Sequence, residues 1–285
     1  MKESLSPELL SSYRSDGAVR VEGLFRDWIE PLAEAVSAVI DAARAHVLPS
    51  PDSGFAFMNE PRVVEEFGGG TMALNLMPYD PAFTRWLEHS PAAEATAAIM
   101  ASRTSRFWID ASFLKDQGNA GEGTPWHNDT CTWPFWGRQM TILWIALTDI
   151  GEDDGPLLTA SGSHEGDGRY YSPFFPPTDE PPAPYRPWRE LLAKTEAPDA
   201  RIQTWTMRAG DCLFMHPSTV HGSRPRAATQ SQPRMSFSTR WLGDDVLFRP
   251  DTLTEAMTVN LNQHPAMRHG HPPPTSVMPL SWPRG

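Results

Sequence analysis

Apolar positions change their rhythm once along this 285-residue chain. In the first hundred residues they recur at helical intervals. Phe25, Trp28, Ile29, Leu32, Val36, Val39, Ile40 and Ala43 share one face, and Pro49 and Pro51 close the segment. Such a helix has an apolar stripe to bury, and a sheet is the surface it should brace. A second helical stretch is expected over residues 81–102, with Pro91 at a break or first turn and an Ala-rich second half. Between the two, residues 54–79 hold no single period. Their Gly68-Gly69-Gly70 run is too free in backbone conformation for regular structure, so this part reads as a connection and an active-site rim.

After residue 103 the apolar runs become short and are bounded by turn residues, as in an all-β barrel or sandwich. Strands are expected over residues 106–114, 139–148, 202–207, 211–215 and 235–242. The reading is a mainly β fold with helical additions. A double-stranded β-helix, or jelly roll, spans residues 103–243, braced by the helices of residues 1–102, in one catalytic domain over residues 1–285. Residues 170–188 stand apart, carrying Pro173, Pro176, Pro177, Pro181, Pro182, Pro184 and Pro187 among aromatics. A stiff, apolar segment that pairs as neither strand nor helix suits a lid over a pocket; the alternative is an ordered surface loop. The tail, residues 244–285, is Pro-rich, contains His264, His269 and His271, and either wraps the core or moves freely.

Composition narrows the class of partner. With 24 Lys and Arg against 35 Asp and Glu, the formal charge is −11. Nucleic-acid binders usually carry a basic face, so a small-molecule substrate is expected and a nucleic acid is not. Two cysteines are too few for a disulfide scaffold, the Met1-Lys2-Glu3-Ser4 start leads into polar residues, and no apolar run is long enough to span a bilayer. A soluble, cytoplasmic protein without a membrane partner is expected, and its oligomeric state is left open.

The chemistry lies in Thr124-Pro125-Trp126-His127-Asn128-Asp129 and, ninety-two positions after Asp129, in His221-Gly222-Ser223, with Arg234 beyond. In an extended strand, residues i and i+2 point to the same side, so His127 and Asp129 reach one metal while Asn128 turns away. A second histidine completes a facial triad that leaves the other positions of an octahedral Fe(II) free. By composition, about one His should have a carboxylate two places later by chance, and His127 is the only such His here. The His-x-Asp pair alone is therefore weak. Its weight comes from the ordered set that follows: Gly155-Pro156-Leu157, Ser161-Gly162-Ser163-His164, Gly210-Asp211, the segment from His216 to Ser223, and Arg234.

In that order the chain resembles the phytanoyl-CoA dioxygenase family of 2-oxoglutarate-dependent oxygenases, from about Leu10 to Trp241. The resemblance implies Fe(II) held by His127, Asp129 and His221, with 2-oxoglutarate and O2 as co-substrates. It favours His221 over His216, because the distal histidine of the family stands in a His-Gly-Ser context. It gives His164 no metal role. Arg234 is the fork expected to hold the far carboxylate of 2-oxoglutarate, with Ser236 on the same strand face and Ser223 beside His221 as hydroxyl donors. Arg240 shares that face, but six residues of strand, about 20 Å, separate it from Arg234. The spacing from His221 to Arg234 slightly exceeds the family norm, implying an insertion within residues 223–233. Related halogenases have a small residue at the carboxylate position, so Asp129 favours hydroxylation, with release of succinate and CO2; desaturation, epoxidation or ring formation would use the same residues.

For the substrate, Lys115, Trp133, Arg138 and Arg240 are the candidate contacts. Aromatics in a β core more often pack than recognise, and surface cations are more often solvated. Trp126, Trp136, Trp144 and Arg224 are weaker candidates on the same grounds. A specialised metabolite or amino-acid-like compound is favoured over a long acyl-CoA. Two rivals stand beside this reading: a cupin-type metalloenzyme without 2-oxoglutarate, which leaves Arg234 unexplained, and a non-catalytic binding module, which leaves the triad unexplained.

Overall fold

Local capping sets the first elements in a computed structural model that describes residues 5–49, 61–67, 69–115, 121–166, 169–227, 232–254 and 259–283. Helix α1 (Pro7–Asp16) starts where the Ser6 hydroxyl accepts the Leu9 N–H, and ends where Gly17, at φ 78°, donates its N–H to Tyr13. The chain then enters strand β1 (Ala18–Val21) and helix α2 (Ile29–Arg44), which is preceded by a single 3-10 turn over Arg26–Trp28. Strands β2 (Arg62–Val64) and β3 (Thr71–Leu74) follow. The expected helix over 81–102 is two helices, α3 (Pro81–His89) and α4 (Ala92–Ile99). Pro91 excludes Ser90 from the helical region, and Ser90 is extended at ψ 166°.

The remaining elements are β4 (Arg106–Lys115), β5 (Phe135–Trp136), β6 (Met140–Ala146), β7 (Leu157–Ala160), α5 (Trp188–Glu196), β8 (Ile202–Trp205), β9 (Cys212–Met215), β10 (His221–Ser223), β11 (Arg234–Leu242), β12 (Leu247–Phe248) and α6 (Val259–Gln263). A seven-stranded sheet runs β1-β9-β6-β11-β4-β3-β2, opposed by a three-stranded sheet β10-β7-β8 and accompanied by the pair β12-β5. This is the two-sheet jelly roll. Reading the first hundred residues as mainly helix needs one correction: β1, β2 and β3 belong to the large sheet, β1 and β2 at its two edges and β3 between β2 and β4. Each is only three or four residues long, too short to show an alternation of its own. Of the segment read as a rim, residues 54–60 and Gly68 lie outside the described residues.

Strand β11 lies between β6 and β4 at the centre of the large sheet and sorts the two faces by alternation. Phe237 and Trp241 point into the helical layer. There Phe83 stacks on Phe237 at 5.3 Å, and Trp86 meets Phe237 edge-on at 5.2 Å and Trp241 at 6.3 Å. Leu32, Val36 and Ile40 of α2 share this core. The other face of β11 carries Arg234, Ser236, Ser238 and Arg240 toward the small sheet. Polar groups on the inner face of a buried strand require a reason, and the cavity between the sheets supplies it.

Candidate metal centre

His127 and His221 are brought together by backbone. Each donates its N–H to the other's carbonyl, at 2.9 and 2.8 Å, and the two rings lie 4.1 Å apart. Gly222 permits the close approach, since a Cβ there would stand 2.8 Å from the Thr124 carbonyl oxygen. Asp129 arrives by a different route from the one its spacing predicts. Its backbone is not extended but helical, at φ −88° and ψ −9°, opening a single turn over Thr130–Thr132. The turn is held by the Asp129 N–H on the Pro217 carbonyl at 2.9 Å and the Thr132 hydroxyl on the Asp129 carbonyl at 2.9 Å. The carboxylate nevertheless reaches 3.4 Å from His127 Nε2 and 3.8 Å from His221 Nε2.

The orientation of both rings is set from behind. His127 Nδ1 contacts the Pro125 carbonyl at 2.8 Å and His221 Nδ1 the Thr219 carbonyl at 2.9 Å, which puts the proton on Nδ1 and directs each Nε2 lone pair inward. Burial, with the neighbouring His127 ring, pushes His221 down to about 4, keeping it neutral. Burial pushes the Asp129 carboxyl up, but His127, His221 and Arg240 outweigh it and hold it below its ordinary range. Two imidazoles and a carboxylate, with ligand atoms within 4.8 Å of one another, suit a divalent iron; this is the one such group among the described residues. His216 faces elsewhere: its Nε2 contacts the Arg138 carbonyl at 3.1 Å, its Nδ1 accepts the Ser218 N–H, and its ring packs beside His164 at 5.6 Å.

A second polar group lies along β11. Arg234 pairs with Lys115 across the β11–β4 ladder, and both are buried. Lys115 Nζ, Arg234 Nε and the Ser236 hydroxyl have no hydrogen-bond partner among the described residues. Burial, with Arg234 and Arg226, pushes the Lys115 ammonium down to about 8. Burial and then Arg226 push Arg234 down to about 10, offset in part by Asp154. Buried cations with unspent donors are costly, and a carboxylate is the group whose arrival removes that cost. The residues present fit one end of 2-oxoglutarate.

The cavity joining the two groups measures roughly 330 Å³. His127, Asp129, His221, Ser223, Lys115, Arg234 and Arg240 all border it. Ser223 is held there by accepting the Thr124 N–H at 2.8 Å. Trp133 and Arg138 are not brought to it. Trp133 is in the core, edge-on to Trp108 at 5.1 Å, and Arg138 is exposed, with its backbone N–H donated to Asp245. Phe174 and Phe175 of the Pro-rich segment do border it, and the Phe174 ring lies 4.9 Å from that of His127. That segment is tied to the metal-ligand loop through Arg169, which sequence reasoning missed. Its guanidinium donates to the carbonyls of Thr130 at 2.8 Å and Phe135 at 2.6 Å, and stacks on Trp136 at 4.0 Å. No local motif marks Arg169, because its partners are backbone carbonyls more than thirty residues away.

Oxygenases that use non-haem iron and 2-oxoglutarate are the class in which this two-sheet fold and this donor set occur together, and the chain is one of them. Within that class it belongs to the phytanoyl-CoA dioxygenase (PhyH) family, whose pattern matches residues 13–236. It is 25% identical to an ectoine dioxygenase from Bordetella bronchiseptica over 239 residues, 78% of this chain and 70% of the relative. Its fold is that of SnoK, a non-haem α-ketoglutarate-dependent carbocyclase from nogalamycin biosynthesis, with a TM-score of 0.70 and 18% identity over 97% of this chain and 96% of the other. The epimerase SnoN, solved with Fe3+, α-ketoglutarate and nogalamycin RO, superposes with a TM-score of 0.66 and 24% identity over 96% and 97% of the two chains.

Proposed function

We propose that this protein hydroxylates a small organic substrate at an iron held by His127, Asp129 and His221, with 2-oxoglutarate held by Arg234, Lys115 and Ser236, and Ser223 as a further hydroxyl at the metal side. When bound, iron, 2-oxoglutarate and O2 supply a two-electron oxidation of the substrate coupled to release of succinate and CO2. The observation that carries the reading is the pair of buried cations, Lys115 and Arg234, whose donors are unspent beside a complete triad. Neither rival, a cupin-type metalloenzyme without a co-substrate or a binding module, has a use for them.

The chain's own contribution is positioning and exclusion of water. The carbonyls of Pro125 and Thr219 fix the imidazole tautomers. Arg234 offers a planar fork to a carboxylate, and Lys115, assigned from sequence to the substrate, is better read as a second charge on the same group. Phe174 and Phe175 cover the metal side with apolar surface. The relative is named for ectoine and the neighbours for steps of nogalamycin biosynthesis, which supports a small specialised metabolite or amino-acid-like substrate over a long acyl-CoA.

Anaerobic addition of Fe(II) and 2-oxoglutarate tests the reading. A weak visible charge-transfer band should appear in the wild type and be lost in His127→Ala, Asp129→Ala and His221→Ala, with His216→Ala retaining it. A wild type that binds Fe(II) without producing the band would remove 2-oxoglutarate from the site.

A further inference from the structure

The molecule is acidic but its catalytic cavity is basic. Against a formal charge of −11 for the whole chain, the described residues bordering the cavity include Arg62, Lys115, Arg234 and Arg240 and a single carboxylate, Asp129. Divalent iron and the 2-oxoglutarate dianion cancel each other in this count, and Asp129, which lies against Arg240, offsets one of the three buried cations and leaves two charges over. Arg240 is the buried cation nearest the triad, and its one ion pair among the described residues is with a carboxylate that the metal would also claim. Arg62 lies exposed on β2, where water solvates it.

Arg240 is held by the protein only through long contacts. Its side chain is 12% exposed, and it approaches Asp129 Oδ2 at 3.9 Å, beyond hydrogen-bond distance. Of its five N–H donors, one reaches a protein acceptor, the Ser238 carbonyl, at 3.5 Å. Asp110, the other carboxylate that acts on Arg240, is committed to the N–H groups of Leu76 and Met77 at 2.8 and 3.0 Å. The guanidinium therefore borders the cavity beside the iron ligand with most of its donors free.

The register supplies what lies next to it. Arg240 pairs with Ile142 on β6, and Ile142 pairs with Met215 on β9, and all three border the cavity. Adjacent strands are about 4.8 Å apart, so this row runs from a cation to an apolar floor over roughly 10 Å.

Building on the assignment of the site as an iron and 2-oxoglutarate centre, we propose that its substrate carries a carboxylate on a compact apolar body, with Arg240 holding the carboxylate and Ile142 and Met215 supporting the body. A single guanidinium in a low-dielectric wall matches one negative charge; a phosphate dianion would call for more donors than this end offers. The charge brings the substrate in, and the fixed distance between Arg240 and the triad selects which carbon meets the metal.

Matched probe pairs test this in the full chain loaded anaerobically with Fe(II) and 2-oxoglutarate: benzoate with benzamide, cyclohexanecarboxylate with its carboxamide, and hexanoate with hexanamide, followed by calorimetry and by tryptophan fluorescence. In at least one pair the carboxylate should bind about tenfold or more tightly than the amide. Arg240→Met should bring that ratio to about one, and Arg240→Lys should keep part of it. The ratio is taken within each variant, so a general loss of stability cancels, and Arg240→Gln serves if Arg240→Met does not fold. Equal affinities or no binding in every pair, or a ratio untouched in Arg240→Met, overturns the proposal. So does a change in iron affinity alone, which would make Arg240 a support for Asp129, and so does erasure of the 2-oxoglutarate band by the carboxylates, which would mean competition at Arg234. Absence of the band before any probe is added is a separate failure, that of the iron and 2-oxoglutarate assignment.

Discussion

Lys115 and Arg234 are the two side chains whose burial is hardest to justify without a ligand, and their different chemistry separates their roles. Arg234→Lys keeps the charge but loses the planar fork, so 2-oxoglutarate should bind more weakly by about 1.5–3 kcal/mol, measured by titrating the charge-transfer band, while iron affinity without co-substrate stays the same. Lys115 adds a pH dependence that Arg234 does not. Burial and its cationic neighbours push its ammonium down to about 8, so the unliganded protein loses that charge as pH rises through 8. Affinity for 2-oxoglutarate should fall between about pH 8 and 9.5 in the wild type. Lys115→Met should bind more weakly at pH 7 and show no such fall; a fall of equal size in the variant would assign it to another group. His127, Asp129, His221 and Arg234 were legible in the sequence because each sits in a recognisable local context. Lys115 was legible as a candidate, but its place opposite Arg234, on which the proposed role with 2-oxoglutarate rests, depends on strand register. Trp133 and Arg138 resembled contacts only by closeness in sequence to the metal motif.

Among the elements, β11 shows why alternation outranks overall hydrophobicity. Its nine residues alternate between the aromatic helical layer and the polar cavity wall, and both faces are needed. Trp86→Ala removes a fully buried side chain that touches both Phe237 and Trp241, so it should cost about 3–5 kcal/mol in denaturant unfolding. The part of the variant that remains folded should still produce the iron and 2-oxoglutarate band, because the loss falls on the opposite face of the strand. Loss of the band in folded protein would show that the helical layer also fixes the site. The long strands β4, β6 and β11 were readable from their runs, and the break at Pro91 from the rule for residues preceding proline. Strands β1 to β3 were not, because pairing with a neighbour, not their own composition, makes them strands. Asp129 does meet the histidines, but the strand argument for it fails in part: the carboxylate converges on them through a turn, with no continuous strand beneath it.

Across the molecule, buried histidines contribute to acid stability. Burial, with the His164 ring, pushes His216 down to about 4, below an ordinary value near 6.5. The folded state thus binds fewer protons than the unfolded one, and stability is complete above the unfolded value and lost as pH falls from about 6.5 to 4. His216→Gln keeps a donor for the Arg138 carbonyl but does not titrate. It should flatten that part of the unfolding profile by on the order of 1–2 kcal/mol, allowing for the partial exposure of the ring. A profile as steep as wild type would transfer the effect to other groups. No helix among the described residues is long and apolar enough to cross a membrane.

Arg169 joins two parts of the chain that have separate duties: the loop that presents Asp129 and the proline-rich segment that carries Phe174 over His127. A bond of this kind couples ligand binding to local opening, and the coupling is reciprocal: Fe(II) favours closure of the segment by the same free energy as closure favours Fe(II). Fe(II) should therefore slow proteolytic nicking between residues 170 and 188, although none of the triad residues lies in that stretch. Arg169→Met should abolish this protection and weaken Fe(II) in the same proportion. Equal cleavage rates with and without Fe(II) in the wild type would show that the two parts open independently.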